Sequence, residues 1–137
     1  MEKDFNNLIK EIRKCNICED KFGFKPHPVV IGSATSKIVQ ISQAPSKICY
    51  EKWIKKELEY IDNNLYIIIG AKAAKTFFPN EDYNDLIFKN NILFNKPAIV
   101  LPHPSPLNIK WFKDNPDFMK KRIIEIRKII NNTLNKE

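Results

Sequence analysis

The residues whose spacing carries the most chemistry are Pro102-His103-Pro104-Ser105-Pro106-Leu107-Asn108. Three prolines in five positions fix φ and remove three backbone donors, so the chain is stiff here. A stiff chain holds His103 and Ser105 in one geometry. A neutral imidazole fixed in this way can donate a hydrogen bond to a developing anion. Leu107 is an apolar tip of the kind that wedges into a duplex. The same segment also reads as a rigid strand-to-helix connector with a histidine on its surface.

Two further segments carry candidate chemistry. In Gln43-Ala44-Pro45 a small residue and a proline let backbone approach a ligand closely, although an ordinary strand exit looks the same. Cys15-x-x-Cys18 at a helix end can chelate a metal or a cluster, with Cys49 as a third ligand and His27 or His103 completing a zinc site. The plainer reading is three reduced thiols without metal. An odd number of cysteines speaks against a disulfide framework. Gly70-Ala71-Lys72-Ala73-Ala74 lacks the glycines of a phosphate loop and reads as helix–sheet packing.

The elements that must position these residues follow from periodicity. Phe5, Leu8, Ile9 and Ile12 predict a helix from residue 4 to about residue 14, with Asp4 as its N-cap. A stretch rich in breakers follows, with Gly23, Pro26, Pro28 and Gly32. Residues 38–41 predict a short buried strand. Tyr50, Trp53, Ile54, Leu58 and Ile61 give a second helical face, broken by Asp62-Asn63-Asn64. Residues 65–69 are the most strand-like in the chain. Gly70 turns directly into a short helix that Phe78-Pro79 stops. Residues 86–89 and 92–95 flank Asn90-Asn91 as a hairpin would. Residues 98–101 predict another buried strand. A last helix opens with Pro116 and shows Phe118, Met119, Ile123, Ile126 and Ile130 as its apolar stripe.

Apolar strands alternating with helices predict an α/β fold: three α/β/α layers around a short parallel sheet. Ligands in such sheets sit beyond the carboxyl ends of the strands. That rule selects residues 42–47, 70–74 and 102–108, each directly after a strand.

Composition sets the outer bounds. The 137 residues suit one domain, 1–137, that buries about two-thirds of its unfolded surface. A chain 43% hydrophobic and 28% charged is globular rather than disordered. No run approaches the roughly 20 apolar residues of a membrane span. Met1-Glu2-Lys3-Asp4-Phe5-Asn6-Asn7 holds no apolar signal core, so the expected location is cytoplasmic, and the expected form is a monomer. The 23 basic residues exceed the 16 acidic ones, a net charge of +7 that favours polyanions. Lysine, asparagine and isoleucine are abundant throughout, so the charge also fits a bias in genome composition.

Taken in order, four blocks resemble the uracil-DNA glycosylase superfamily, in the branch related to its iron–sulfur members. Ile12-Arg13-Lys14-Cys15-Asn16-Ile17-Cys18 is similar to that branch's N-terminal Arg-x-Cys-x-x-Cys. Val39-Gln40-Ile41-Ser42-Gln43-Ala44-Pro45 resembles the strand and first motif, usually Gly-(Gln or Glu)-Ala-Pro-Gly. Tyr66-Ile67-Ile68-Ile69-Gly70-Ala71-Lys72-Ala73-Ala74 resembles the third block. Leu101-Pro102-His103-Pro104-Ser105-Pro106-Leu107-Asn108, with Trp111 and Asn115-Pro116-Asp117-Phe118, resembles the last motif and its helix and is the most specific of the four.

The resemblance implies a reduced uracil-DNA glycosylase-like domain that acts in base excision repair. His103 would stabilise the departing uracil anion. Gln43 and Ala44, beside Pro45, would form part of the base pocket and hold the water. Ser105 and the prolines, Pro106 among them, would pinch the DNA backbone next to Asn108. Leu107 would enter the gap left by the flipped nucleotide. Cys15, Cys18 and Cys49 would be three of the four ligands of an iron–sulfur cluster, because Cys49-x-x-x-Trp53 resembles the helix start that carries the last ligand.

The chain departs from the family's pattern between Pro45 and Cys49. Only Ser46-Lys47-Ile48 stand there, where the family has several tens of residues. That stretch normally supplies the aromatic residue that stacks on uracil, an asparagine-type base reader, another strand and the third cluster cysteine. Tyr50 is the near aromatic and Glu51 the nearest acid, and both glycines of the first motif are replaced, by Ser42 and Ser46. The missing strand lies at the sheet edge by analogy, which leaves a three-stranded core. Three functions therefore stand side by side: a DNA N-glycosylase that removes uracil, a catalytically silent DNA-binding relative, and a small metal-binding domain unrelated to DNA. The first requires the His103 loop and the Gln43-Ala44-Pro45 bend to sit above the same ends of one sheet.

Overall fold

Leu65–Ile69 is apolar at every position, and a strand of that kind needs cover on both faces. In the computed structural model, which describes residues 2–15, 34–42 and 50–135, this segment is the inner strand β2. The chain divides into two compact units. One comprises Met1–Ser36 and Pro45–Asp62, the other Lys37–Ala44 and Asn63–Glu137.

The first unit is helical among its described residues. Helix α1 (Glu2–Arg13) buries Phe5, Leu8 and Ile12, the stripe its periodicity predicts. It begins at Glu2, so Asp4 lies inside the first turn rather than at the N-cap. A carboxylate there still faces the positive end of the helix dipole. A π-helical stretch, Tyr50–Ile54, runs into α2 (Lys55–Tyr60). Leu8, Ile12 and Trp53 form an apolar cluster, against which Ile9, Cys15 and Tyr60 pack. The ammonium groups of Lys52 and Lys56 stand 5.0 and 6.0 Å from the Trp53 ring centroid.

Glu57 on α2 is half-buried, and desolvation raises its pKa above the ordinary glutamate value of 4.5. The fold therefore favours the protonated carboxyl. The penalty for the charged form is absent below the ordinary value and grows as pH rises from there through the raised value. Glu57→Gln should raise the melting temperature at neutral pH, and the gain should vanish in acid. Parallel thermal melts across that range check both signs.

The second unit holds the sheet, in the order β1-β2-β4-β3. Strands β1 (Ile38–Ile41), β2 and β4 (Lys96–Leu101) run parallel. Ile41 lies opposite Ile68, and Ile69 opposite Leu101. The α/β class and the three-stranded parallel core expected from the sequence are both present. The short strand β3 (Asn91–Leu93) adds an antiparallel edge. Strand β1 is half-buried with Gln40 exposed, not fully buried as its apolar run suggested, because among the described residues it pairs on one side only. Asn63 is buried beside the start of β2. Its Nδ2 donates to the Leu65 carbonyl at 3.1 Å and its Oδ1 accepts from Lys96 Nζ at 3.1 Å.

Helix α3 (Ala71–Phe77) packs Ala73 and Ala74 on β2. Helix α4 (Tyr83–Phe88) packs against β4 and buries Leu86 and Ile87. The predicted hairpin around Asn90-Asn91 is therefore incorrect, since its first strand is this helix. The hairpin turn is Phe94-Asn95, both at positive φ (51° and 62°), the two-residue geometry whose twist suits antiparallel strands. Phenylalanine is an unusual residue there. Its ring meets Tyr66 and Phe77 edge-on at 6.0 and 6.5 Å, contacts that offset the backbone strain.

Six residues make a marginal helix, so α4 depends on its ends. Asp82 caps the start, accepting from the Asp85 amide at 3.1 Å. At the other end Asn91 Nδ2 donates to the carbonyls of Leu86 (2.8 Å) and Lys89 (3.1 Å). Buried Arg122 donates from Nε to the Ile87 carbonyl at 2.8 Å and from Nη2 to the Lys89 carbonyl at 2.6 Å. Its Nη1 meets Asn90 Oδ1 at 3.0 Å and Glu125 Oε2 at 2.9 Å. Arg122→Ala strips donors from these carbonyls, so chemical denaturation should show a loss of about 2–4 kcal/mol.

The chain after β4 forms a 3₁₀ turn (Pro106–Asn108) and helix α5 (Ile109–Asp114), a helix the periodicity did not reveal. Pro116 then opens the last helical segment as expected. A π-helical stretch (Phe118–Arg122) leads into α6 (Ile123–Asn135). Phe118 and Ile126 are buried, but Met119 is exposed, contrary to its place on the predicted stripe. The wider π turn shifts the i, i+4 rows and turns Met119 outward.

Candidate active site at the carboxyl ends of the parallel strands

Because β1, β2 and β4 are parallel, their carboxyl ends share one edge of the sheet. Ser42, Gly70 and Pro102 are the first residues past those ends. With β2 between them, the exits of β1 and β4 are two strand spacings apart, about 10 Å. The strand leading into the first motif therefore opens on the same edge as the histidine loop. Gln43, Ala44 and Pro45 themselves lie outside the described residues.

Gly70 ties two of these exits together. Its amide donates to the Leu101 carbonyl at 2.9 Å. Its φ of +93° is a conformation that residues with a Cβ rarely adopt. The His103 ring lies over it: a Cβ at this position would stand 3.6 Å from His103 Cδ2.

The loop carrying His103 is internally bonded. Pro102 is buried and anchors it, while His103 is exposed. The Ser105 amide donates to His103 Nδ1 at 3.1 Å. In a neutral ring an accepting Nδ1 leaves the proton on Nε2, the nitrogen then available as a donor. Asn108 Nδ2 donates to the His103 carbonyl at 2.9 Å, and the Asn108 amide donates to the Ser105 carbonyl at 2.9 Å. Ser105 Oγ caps the 3₁₀ turn, accepting from the Leu107 amide at 3.2 Å, with Pro106 at the first position of that turn. Leu107 projects from the turn and is 96% exposed, so nothing in the protein buries it.

A neighbouring contact was not foreseen in the sequence. The Tyr83 hydroxyl donates to the Leu101 carbonyl at 3.4 Å. Burial pushes its pKa up. Next to it, Asn84 Oδ1 accepts from Trp111 Nε1 at 3.0 Å. The signal available was Asp82 with Asp85 three residues on, a helix-start pattern that places Tyr83 and Asn84 in a first turn.

The family model described as the uracil DNA glycosylase superfamily matches residues 2–127. The chain belongs to the uracil DNA glycosylase superfamily. That membership gives it a glycosylase-like function, and it places the match across both the α1 region and the histidine loop. Among the described residues no helix is long and apolar enough to cross a membrane.

Of the three cysteines expected as metal ligands, Cys15 alone lies among the described residues. Cys15 is half-buried beside the α1–α2 cluster, while Cys18 and Cys49 lie outside the described residues. Three thiols are one short of the four that hold an iron–sulfur cluster. A closed cluster would need a fourth donor besides these thiols.

Proposed function

We propose that this chain hydrolyses the N-glycosidic bond of uracil in DNA. The observation that carries the reading is the fixed His103 ring, with Nδ1 held by Ser105 and Nε2 left as the donor. Chemistry on a base requires taking it out of the stack. As the C1′–N1 bond breaks, both electrons leave with uracil and the sugar becomes cation-like. His103 Nε2–H donates to the uracil oxygen on which the charge develops, and a preorganised donor of this kind lowers the barrier without a covalent step. Water adds to C1′ and gives up a proton, and the uracil anion takes one. The family resemblance assigns the base pocket and that water to Gln43 and Ala44, which lie outside the described residues. Ser105 and Pro106 press on the DNA backbone, and Leu107 fills the vacated space. Lys110 and Lys113 on α5 lie just beyond Leu107 and are exposed to phosphates. The Asp114 carboxylate, 2.6 Å from Lys110, raises that ammonium's pKa and keeps it charged.

Incubating the protein with a deoxyuridine-containing oligonucleotide and measuring free uracil tests the reading. Release supports it. The three residues between Pro45 and Cys49 favour a second reading, a silent DNA-binding relative that lacks a wall of the base pocket. Duplex binding that falls steeply with salt, with no uracil released, selects that one.

A further inference from the structure

The bonds inside residues 103–108 fix the shape of the loop but not its seat on the sheet. Buried Pro102 anchors one end, and the first turn of α4 supplies two further contacts. Tyr83 reaches the start of the segment, its hydroxyl donating to the Leu101 carbonyl two residues before His103. Asn84 reaches its far side through the indole of Trp111. Trp111 also stacks on Phe88 of α4 at 6.3 Å and meets Phe118 edge-on at 5.5 Å. Helix α4 is a firm base for both contacts, because Asp82 caps one end and Asn91 and Arg122 satisfy the other.

We infer that Tyr83 and Asn84 are positioning residues that act as a two-pronged clamp, Tyr83 seating the His103 limb and Asn84, through Trp111, seating the Leu107 limb. Neither touches DNA in this assignment. Each removes freedom from a group that does, and a misplacement of about 1 Å can cost as much as 10²-fold in rate. The two limbs serve different steps, so the two prongs should fail differently. This inference rests on the excision reading above, and its test includes a readout that needs no turnover.

Tyr83→Phe keeps the ring and removes the hydroxyl. It should lower kcat for uracil release by about 10-fold or more, with KM little changed. Asn84→Ala removes the acceptor for Trp111. It should raise KM on duplex substrate, leave kcat at saturation near wild type and spare single-stranded substrate. Asn84→Asp restores an acceptor and should restore KM. With only two histidines and two tryptophans in the chain, nitrogen NMR resolves the reporters. Tyr83→Phe should shift the His103 ring signals and leave the Trp111 indole N–H in place, and Asn84→Ala should do the reverse. If each variant moves both reporters equally, or neither moves its own, the clamp is overturned. Should the wild type release no uracil, the excision reading fails while the NMR comparison still decides the clamp.

Discussion

Replacing His103 by alanine should cut kcat for uracil release by about 10²–10³-fold, the loss typical of deleting one preorganised donor to a developing anion. The fold should survive. The ring is exposed, so its removal opens no cavity in the core, and the Ser105 amide it frees is exposed to water. Pro102 stays buried, and the bonds from Asn108 to the His103 and Ser105 carbonyls do not involve the ring. Single-turnover release measured beside a thermal melt checks both halves. A melt that collapses with the variant would make the loop a structural connector, and an unchanged release rate would remove His103 from the chemistry.

Leu107→Ala should lower kcat/KM on duplex DNA by about 10–10²-fold, because holding a nucleotide out of the stack costs a few kcal/mol that the wedge offsets. On single-stranded DNA the same variant should behave nearly as wild type, since little stacking is lost there. Stability should not change, because a side chain that is 96% exposed contributes almost no burial. The comparison requires the same uracil in a single strand, opposite its partner and opposite a mismatch, with the largest loss in the paired duplex. Equal losses on all three substrates would rule the wedge out and leave Leu107 as a general contact. His103→Ala should lower all three alike, so the two variants separate chemistry from extrusion.

The differences between sequence and structure share one cause. The turn at Phe94-Asn95 carries no turn signature, because the ring contacts with Tyr66 and Phe77 that stabilise it come from other elements. Asn90-Asn91 carries that signature and is used otherwise: Asn91 closes the end of α4, and Asn90 accepts from Arg122, 32 residues away in sequence. Strand β1 looked buried because four residues cannot reveal whether one neighbour or two will pair with them.

What the amino-acid order determined by itself is local: proline angles that stiffen residues 102–106, an unbroken apolar run that must become an inner strand, and the motif residues that place the chain in its superfamily. These follow from bonds and burial needs that each segment carries with it. Tertiary structure alone decided that β1 and β4 open on one edge, that the Tyr83 hydroxyl meets the Leu101 carbonyl, and that Asn84 accepts from the Trp111 indole. Hydrogen bonds between segments depend on distances set only once the sheet has assembled, so no stretch of sequence contains them.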